Sequence, residues 1–306
     1  MNPRRTDPPK ARSLRRGSPS RHPAPRRLPA GPAPKVRPEH RVGPLHAEVI
    51  AVGREILRGR TADTTTRYLA QFLSLRGAVV HRITIVDDND RAISEAVTEA
   101  FVRGARLVVT TGGLGPTDDD RTLGAVADAL RLPLAIHAEA REMVESAYRR
   151  LQERRVLSGT GLTAAREKMC ALPLGSEPVP NTVGTAPGVI TRLPGGAAVL
   201  CLPGVPDETR SVFDAAVPLL KELAPKGAVA RRDVETPTAD ESALKPLLDR
   251  ICEEFPFVWV KSYAPGFRKK ESRILVTLEA SAATQKEADS MVEGALRLLL
   301  SASGGR

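Results

Sequence analysis

The sequence predicts an α/β protein, a mostly parallel sheet with helices on both faces, followed by a small α+β unit. Three observations carry this. From residue 46 onward, short β-branched apolar runs alternate with segments of helical periodicity. The strand-like runs are apolar throughout rather than alternating, as expected of parallel strands buried on both faces. Composition then shifts at ELAPKGAVA (222–230), and the order beyond it becomes strand, helix, strand, strand, helix.

The elements follow in order. HAEVIAV (46–52) is an apolar strand ending at Gly53. Residues 63–76 place Tyr68, Leu69, Phe72 and Leu73 at helical spacing and close at Gly77. VVHRITIV (79–86) is a second strand, followed by the acidic turn DDND. Residues 90–103 put Ile93, Val97, Ala100 and Phe101 on one helical face. RLVVTT (106–111) is a third strand, and 118–131 the next helix. Helices over 138–155 and 162–170, strands 188–193 and 197–202, and a helix over 207–223 complete the first body. The second contains strand 229–235, helix 240–254, strands 256–263 and 272–280, and helix 284–300.

Charge is distributed unevenly. Residues 1–44 hold twelve lysines and arginines against Asp7 and Glu39, which is the whole net charge of +10. The body is neutral, so it is not expected to bind nucleic acid. The same stretch holds eleven of the 26 prolines and few large apolar residues, the composition of a disordered tail. It lacks the apolar core of a signal peptide, and an overlong reading frame would also account for it. The cysteines, Cys170, Cys201 and Cys252, have neither metal-binding nor disulfide spacing, which points to a reducing cytoplasm. No apolar run reaches membrane-spanning length.

In open α/β sheets, ligands bind beyond the carboxyl ends of the strands, where three loops are expected: GREILRGRTADT (53–64), VDDND (86–90) and TTGGLGPTDDD (110–120). In the third, Gly112, Gly113 and Gly115 permit close backbone approach to a phosphate. Thr117 is expected to cap a helix, with Asp118, Asp119 and Asp120 in its first turn. Capping accounts for the acids but not for the glycines, and a phosphate loop accounts for the glycines but not for the acids. A divalent cation of the Mg²⁺ or Co²⁺ type, held by Asp119 and Asp120 and bridging phosphate oxygens, accounts for both. Glu55 follows the first strand, with Arg54, Arg58 and Arg60 near it, and Asp87 and Asp88 follow the second.

AVGREILRGRTADT, IVDDND, TTGGLGPTDDDRT, PNTVGTAPGV (180–189) and LPGVPDE (202–208), in that order, resemble the MoaB/Mog-like molybdopterin-binding domain in its CinA-type form. The resemblance covers residues 46–225, and the segment 226–306 is similar to the small KH-like domain of CinA proteins. It implies a three-layer α/β/α fold over 45–225, a KH-like domain over 226–306, and a cytoplasmic homo-oligomer, dimer or trimer. It also implies a small-molecule partner, a nucleotide or pterin phosphate. The phosphate-binding set extends to Gly184, Thr185, Gly204 and Lys168, alongside Gly112, Gly113, Gly115 and Thr117. Catalytic roles are implied for Asp120, Asp87 and Glu55, with Arg54, Arg166 and Lys168 stabilising charge. Arg54 and Thr65 depart from the family pattern.

The expected activity is metal-dependent pyrophosphohydrolysis of an ADP-ribose- or FAD-like dinucleotide. The alternatives are molybdopterin binding or adenylylation, and a non-catalytic ligand-binding scaffold. CinA proteins continue into a nicotinamide-nucleotide amidase domain; the sequence stops after the KH-like segment, so amidase activity is not expected. No GxxG clamp marks that segment as an RNA binder.

Overall fold

The computed structural model describes residues 45–157, 161–223, 227–264 and 273–302. The expected tail over 1–44 lies outside the described residues.

The first body is a six-stranded sheet. Its strands are β1 (Leu45–Val52), β2 (Ala78–Val86), β3 (Leu107–Thr111), β6 (Glu177–Val179), β7 (Gly188–Leu193) and β8 (Ala197–Leu202), in the order β2-β1-β3-β8-β7-β6. β1 runs parallel to β2 and β3, and β3 runs parallel to β8. β7 is antiparallel to both its neighbours, because Gly195 and Gly196 at positive φ turn the chain straight back into β8. The carboxyl ends of β1, β2, β3 and β8 therefore share one edge.

Between the strands lie α1 (Arg54–Leu57), α2 (Thr65–Leu75), α3 (Asp90–Val102), α4 (Thr122–Leu130), α5 (Ala138–Glu153), α6 (Ala164–Lys168) and α7 (Pro206–Ala216). A short pair, β4 (Leu134–Ile136) with β5 (Ala171–Pro173), is antiparallel. Four expectations change. The helix expected over 118–131 starts only at Thr122, so the three aspartates form a turn ahead of it. The helix expected over 207–223 gives way to a 3₁₀ turn over Val217–Leu223, where Pro218 lacks the N–H an α-helix needs. The helix expected over 162–170 shortens to α6, capped where the Thr163 hydroxyl accepts the Arg166 amide. Finally, α1, β4, β5 and β6, three or four residues each, are too short to leave a periodic signal.

Alternate residues of the central strands feed opposite faces of the sheet. Ile50, Val52 and Val108 pack with Ile93, Val97, Phe101 and Val126, while Val49, Leu107 and Val109 pack with Leu69 and Phe213. Strand β2 is an edge strand, and the register slips by one between Ala47 and Glu48 so that His81 is the extra residue of a bulge.

One charged pair sits inside this core. Glu48 is 1% exposed and accepts two bonds from the Arg103 guanidinium, at 2.9 and 2.7 Å, which ties the end of α3 to β1. The pairing raises the Arg103 pKa above its ordinary value.

Residues 228–302 build a separate antiparallel sheet. Strands β9 (Ala228–Glu235), β10 (Val258–Tyr263) and β11 (Leu275–Ala282) lie in the order β10-β11-β9. Helices α8 (Glu241–Glu254) and α9 (Gln285–Ala302) supply Leu244, Ile251, Val292 and Leu299 to a hydrophobic cluster shared with Val276 and Leu278. Among the described residues, no helix is long and apolar enough to cross a membrane.

Removing Arg103 strands the buried Glu48 carboxylate, so Arg103→Ala should cost about 3 kcal/mol in urea unfolding. Glu99, the exposed second partner of Arg103 at 3.1 Å, should cost at most about 0.5 kcal/mol on change to alanine. Equal losses would show that the Glu48 pair adds nothing beyond a surface contact.

Candidate functional site

The glycine loop that follows β3 is shaped first by packing. Gly112 has φ +100°, and a Cβ there would lie 2.3 Å from the Val52 carbonyl oxygen. Its N–H donates to the Leu202 carbonyl at 3.0 Å, so this amide is committed to the neighbouring strand end rather than to a ligand. Gly204, after β8, backs onto it, with its own Cβ position 3.2 Å from Gly112 Cα. A Cβ on Gly113, at φ +69°, would meet Thr122 Oγ1 at 2.4 Å, and one on Gly115 would meet Asp120 Oδ2 at 2.6 Å. Thr122 explains where α4 begins: its N–H donates to Gly113 O and its hydroxyl to Gly112 O, at 3.1 and 2.7 Å. The glycines thus have a packing reason that the sequence alone does not display.

Thr117 does not cap α4. It closes the preceding turn, where Asp120 N donates to Thr117 O at 3.1 Å and Thr117 N donates to Asp120 Oδ2 at 2.9 Å. The Thr117 hydroxyl lies 2.5 Å from Asp119 Oδ1 and 2.6 Å from Asp120 Oδ2. It has one proton for two carboxylates. Its contact holds Asp119 below the usual carboxylate pKa range. The Lys168 ammonium reaches into the same turn and donates to Thr117 O.

The other two loops are clamped to each other. Arg54 donates from Nε and an Nη to the two oxygens of Asp87, at 2.7 and 3.2 Å, while its amide donates to Asp88 Oδ2 at 2.8 Å. The guanidinium, bonded to both oxygens, holds Asp87 below the ordinary carboxylate range. The same pairing occupies Arg54, whose identity departs from the family pattern. Arg166 stacks on the Tyr148 ring with its guanidinium carbon 3.8 Å from the centroid, and bonds Gly161 O at 2.6 Å.

Sequence reasoning did not single out Asn181, Glu208, Asp63 or the Asp90–Arg121 pair. Buried Asn181 accepts from the amides of Val183 and Gly184 and donates to Glu208, which lashes the PNTVGTAPG loop to the start of α7. A Cβ on Gly184 would collide with the Glu208 carboxylate at 1.9 Å. Thr185 lies half-buried in the same loop. Asp63 accepts from the Thr66 amide at 3.0 Å and holds the start of α2. Arg121 pairs with Asp90 at 2.9 Å. A polar residue followed by a helix start was the available signal for Asp63; the others are pairings remote in sequence.

Some of the predicted residues line two hollows, whereas Asp87, Gly112, Thr117, Asp119, Gly184 and Thr185 line neither. An open cleft of about 380 Å³ gathers Gly113, Gly115, Asp120 and Lys168 with Asp90 and Arg121, against Leu114, Leu123 and Leu134. A smaller one of about 80 Å³ gathers Glu55, Asp63, Thr111 and Gly204. Glu55 is thus placed apart from the aspartate turn. Burial pushes the Cys170 and Cys201 thiols up to about 11 and about 12, so both stay protonated and unreactive at neutral pH.

Residues 48–222 match the family described as "probable molybdopterin binding domain". The chain belongs to this molybdopterin-binding domain family. A protein of Aeropyrum pernix is 43% identical over 243 residues, covering 79% of this chain and 87% of that one. One of Pyrococcus horikoshii is 38% identical over 223 residues, 73% of this chain and 86% of that one. Among solved structures, the protein CinA of Thermoplasma acidophilum, itself of unknown function, aligns with TM-score 0.51 at 38% identity. That alignment covers 57% of this chain and 98% of the other. The molybdopterin-binding domain here is of the MoaB/Mog-like, CinA type, as the five ordered motifs imply.

The glycine geometry gives a direct test of the domain's edge. Gly112→Ala places a Cβ on a backbone oxygen at a φ that alanine resists, and should cost about 3 kcal/mol of unfolding free energy. Gly59→Ala, where φ is +65° but nothing lies within 4 Å, should cost about 1 kcal/mol. Similar losses would mean that only φ, and not the Val52 contact, matters at Gly112.

Proposed function

We propose that the larger cleft binds a phosphate-bearing pterin of the molybdopterin kind. The observation that carries the reading is the mixed lining of one hollow: Lys168, Arg121, Asp118 and Asp120 together with the apolar Leu114, Leu123 and Leu134. Such a lining suits a ligand with an anionic end and an apolar, planar body. The family description, molybdopterin binding, points the same way.

A divalent cation fits the donor set. The Asp119 and Asp120 carboxylates converge on the Thr117 hydroxyl, and Asp120 Oδ2 also accepts the Thr117 amide; a hard cation shared by Asp119 and Asp120 would neutralise the pair. When bound, such an ion supplies charge neutralisation to phosphate oxygens. The chain's own residues do the rest. Lys168, tethered to the Thr117 carbonyl, brings a positive charge to the aspartate turn. Arg54 and the two acids it bonds keep the first two loops in register at the rim.

A second reading, hydrolysis of an ADP-ribose- or FAD-like diphosphate, draws on the same carboxylate pair. It needs a base as well, and of the two candidates Asp87 is tied up in the Arg54 clamp while Glu55 lines the smaller hollow, apart from the aspartate turn. Binding is therefore the reading the geometry favours.

Calorimetry of wild type and Asp120→Asn with a pterin phosphate, ADP-ribose and FAD, each with Mg²⁺, Co²⁺ or EDTA, separates the readings. Asparagine can still accept the Thr117 amide, so the turn should persist. We expect pterin-phosphate binding enhanced by metal in the wild type, and about tenfold less enhancement in the variant, equivalent to about 1.4 kcal/mol. Equal enhancement in both proteins would remove the cation from the turn. Release of AMP from ADP-ribose, seen by chromatography, would favour the hydrolytic reading instead.

A further inference from the structure

We infer that Gly124 and Leu134 form the seat for the ligand's ring, and that the Asp90–Arg121 pair reads its edge. The inference rests on the proposed binding of a phosphorylated heterocycle and specifies how the cleft selects that heterocycle.

The argument starts from a glycine the fold does not need. A glycine inside a helix forfeits backbone order and gives no packing in return. Two described glycines lie within helices. Gly294 in α9 has a packing reason, since a Cβ there would meet the Phe255 ring at 2.6 Å. Gly124 in α4 has none: the nearest atom to its Cβ position is Leu134 Cδ1, at 4.0 Å, an ordinary contact. Alanine would fit and would favour the helix. Nor does its backbone fall in the left-handed region, unlike that of Gly112 or Gly113.

What Gly124 does is line the larger cleft. Beside it, Leu134 on the three-residue strand β4 leaves 45% of its surface exposed, although Leu114 and Leu123 in the same wall are buried. A side chain on Gly124 would occupy the space in front of Leu134. Leaving it out opens an apolar wall against which a flat bicyclic ring can lie, with Lys168 on the same cleft for the anionic end.

The edge of that ring meets Asp90 and Arg121. Asp90 Oδ2 accepts from Arg121 Nη1 at 2.9 Å, so a carboxylate and a guanidinium stand side by side in the lining. A pterin presents an amino group and a ring N–H beside a carbonyl oxygen, two donors next to an acceptor. That matches a carboxylate next to a guanidinium. An adenine edge, with one amino group beside a bare ring nitrogen, matches it less well. The geometry thus points to a pterin-type or guanine-type edge over adenine.

The test uses the full chain and measures binding of neopterin phosphate and of inorganic pyrophosphate by fluorescence quenching and calorimetry. Gly124→Leu should weaken neopterin phosphate about tenfold or more while leaving pyrophosphate within about twofold. Gly124→Ala should raise Tm yet weaken neopterin phosphate measurably, and it stands in if the leucine variant does not fold. Leu134→Asn, at an exposed position, should weaken the pterin probe without moving Tm, and Asp90→Asn should narrow the preference for neopterin phosphate over ADP-ribose. Wild-type affinity for neopterin phosphate in Gly124→Leu, or in both Gly124→Ala and Leu134→Asn, overturns the inference and leaves the proposed function standing. Failure of the wild type itself to bind neopterin phosphate overturns that function, and the ring seat with it.

Discussion

The edge of this sheet depends on one close crossing. Where β3 ends, Gly112 passes under the Val52 carbonyl of β1 and hands its N–H to Leu202 of β8, while Gly204 closes from behind. Three parallel strand ends are tied together by a residue with no side chain. Because the loops after these strands leave from this point, the position of each depends on it. Thr122 extends the arrangement by taking both loop carbonyls, which sets the first residue of α4 and pushes the aspartates out into a turn.

Charge at the rim is organised by the same economy of contacts. Arg54 spends its guanidinium on Asp87 and its amide on Asp88, joining the first and second loops. Thr117 draws Asp119 and Asp120 together, and Lys168 approaches from α6. The acids of the second and third loops therefore form two groups with different partners. One is a clamp between loops. The other is a turn that concentrates negative charge over a cleft with an apolar wall, and that combination is what a phosphate carried on a flat ring, with a cation between, would require.

Glu48 shows how the fold handles charge away from the site. Its carboxylate is buried on the central strand, yet Arg103 at the end of α3 meets both oxygens. The pair fixes where α3 ends against the sheet, and α3 in turn carries Asp90 to the cleft. The second sheet, β10-β11-β9, keeps its own apolar cluster with α8 and α9.

By itself the sequence determined the order of the longer strands and helices, the parallel character of the first three strands and the edge from which their loops leave. Apolar periodicity and glycine-ended strands are local signals, and HAEVIAV, RLVVTT and the amphipathic segment over 90–103 carry them in full. The sequence also carried the family, through five motifs in order. Only the tertiary structure decided what each candidate site residue touches. Gly112 reads as a phosphate-approaching glycine until the Val52 carbonyl is placed against it, and Thr117 with Asp120 reads as a helix cap until Thr122 takes the helix start. Gly184 likewise has a packing neighbour, the Glu208 carboxylate, that its own loop does not display. In each case the deciding atom belongs to a residue brought near by the sheet crossings or by a chain reversal. Local propensity holds no record of such a neighbour, because its effect is a steric or hydrogen-bonding contact that exists only once the chain has folded.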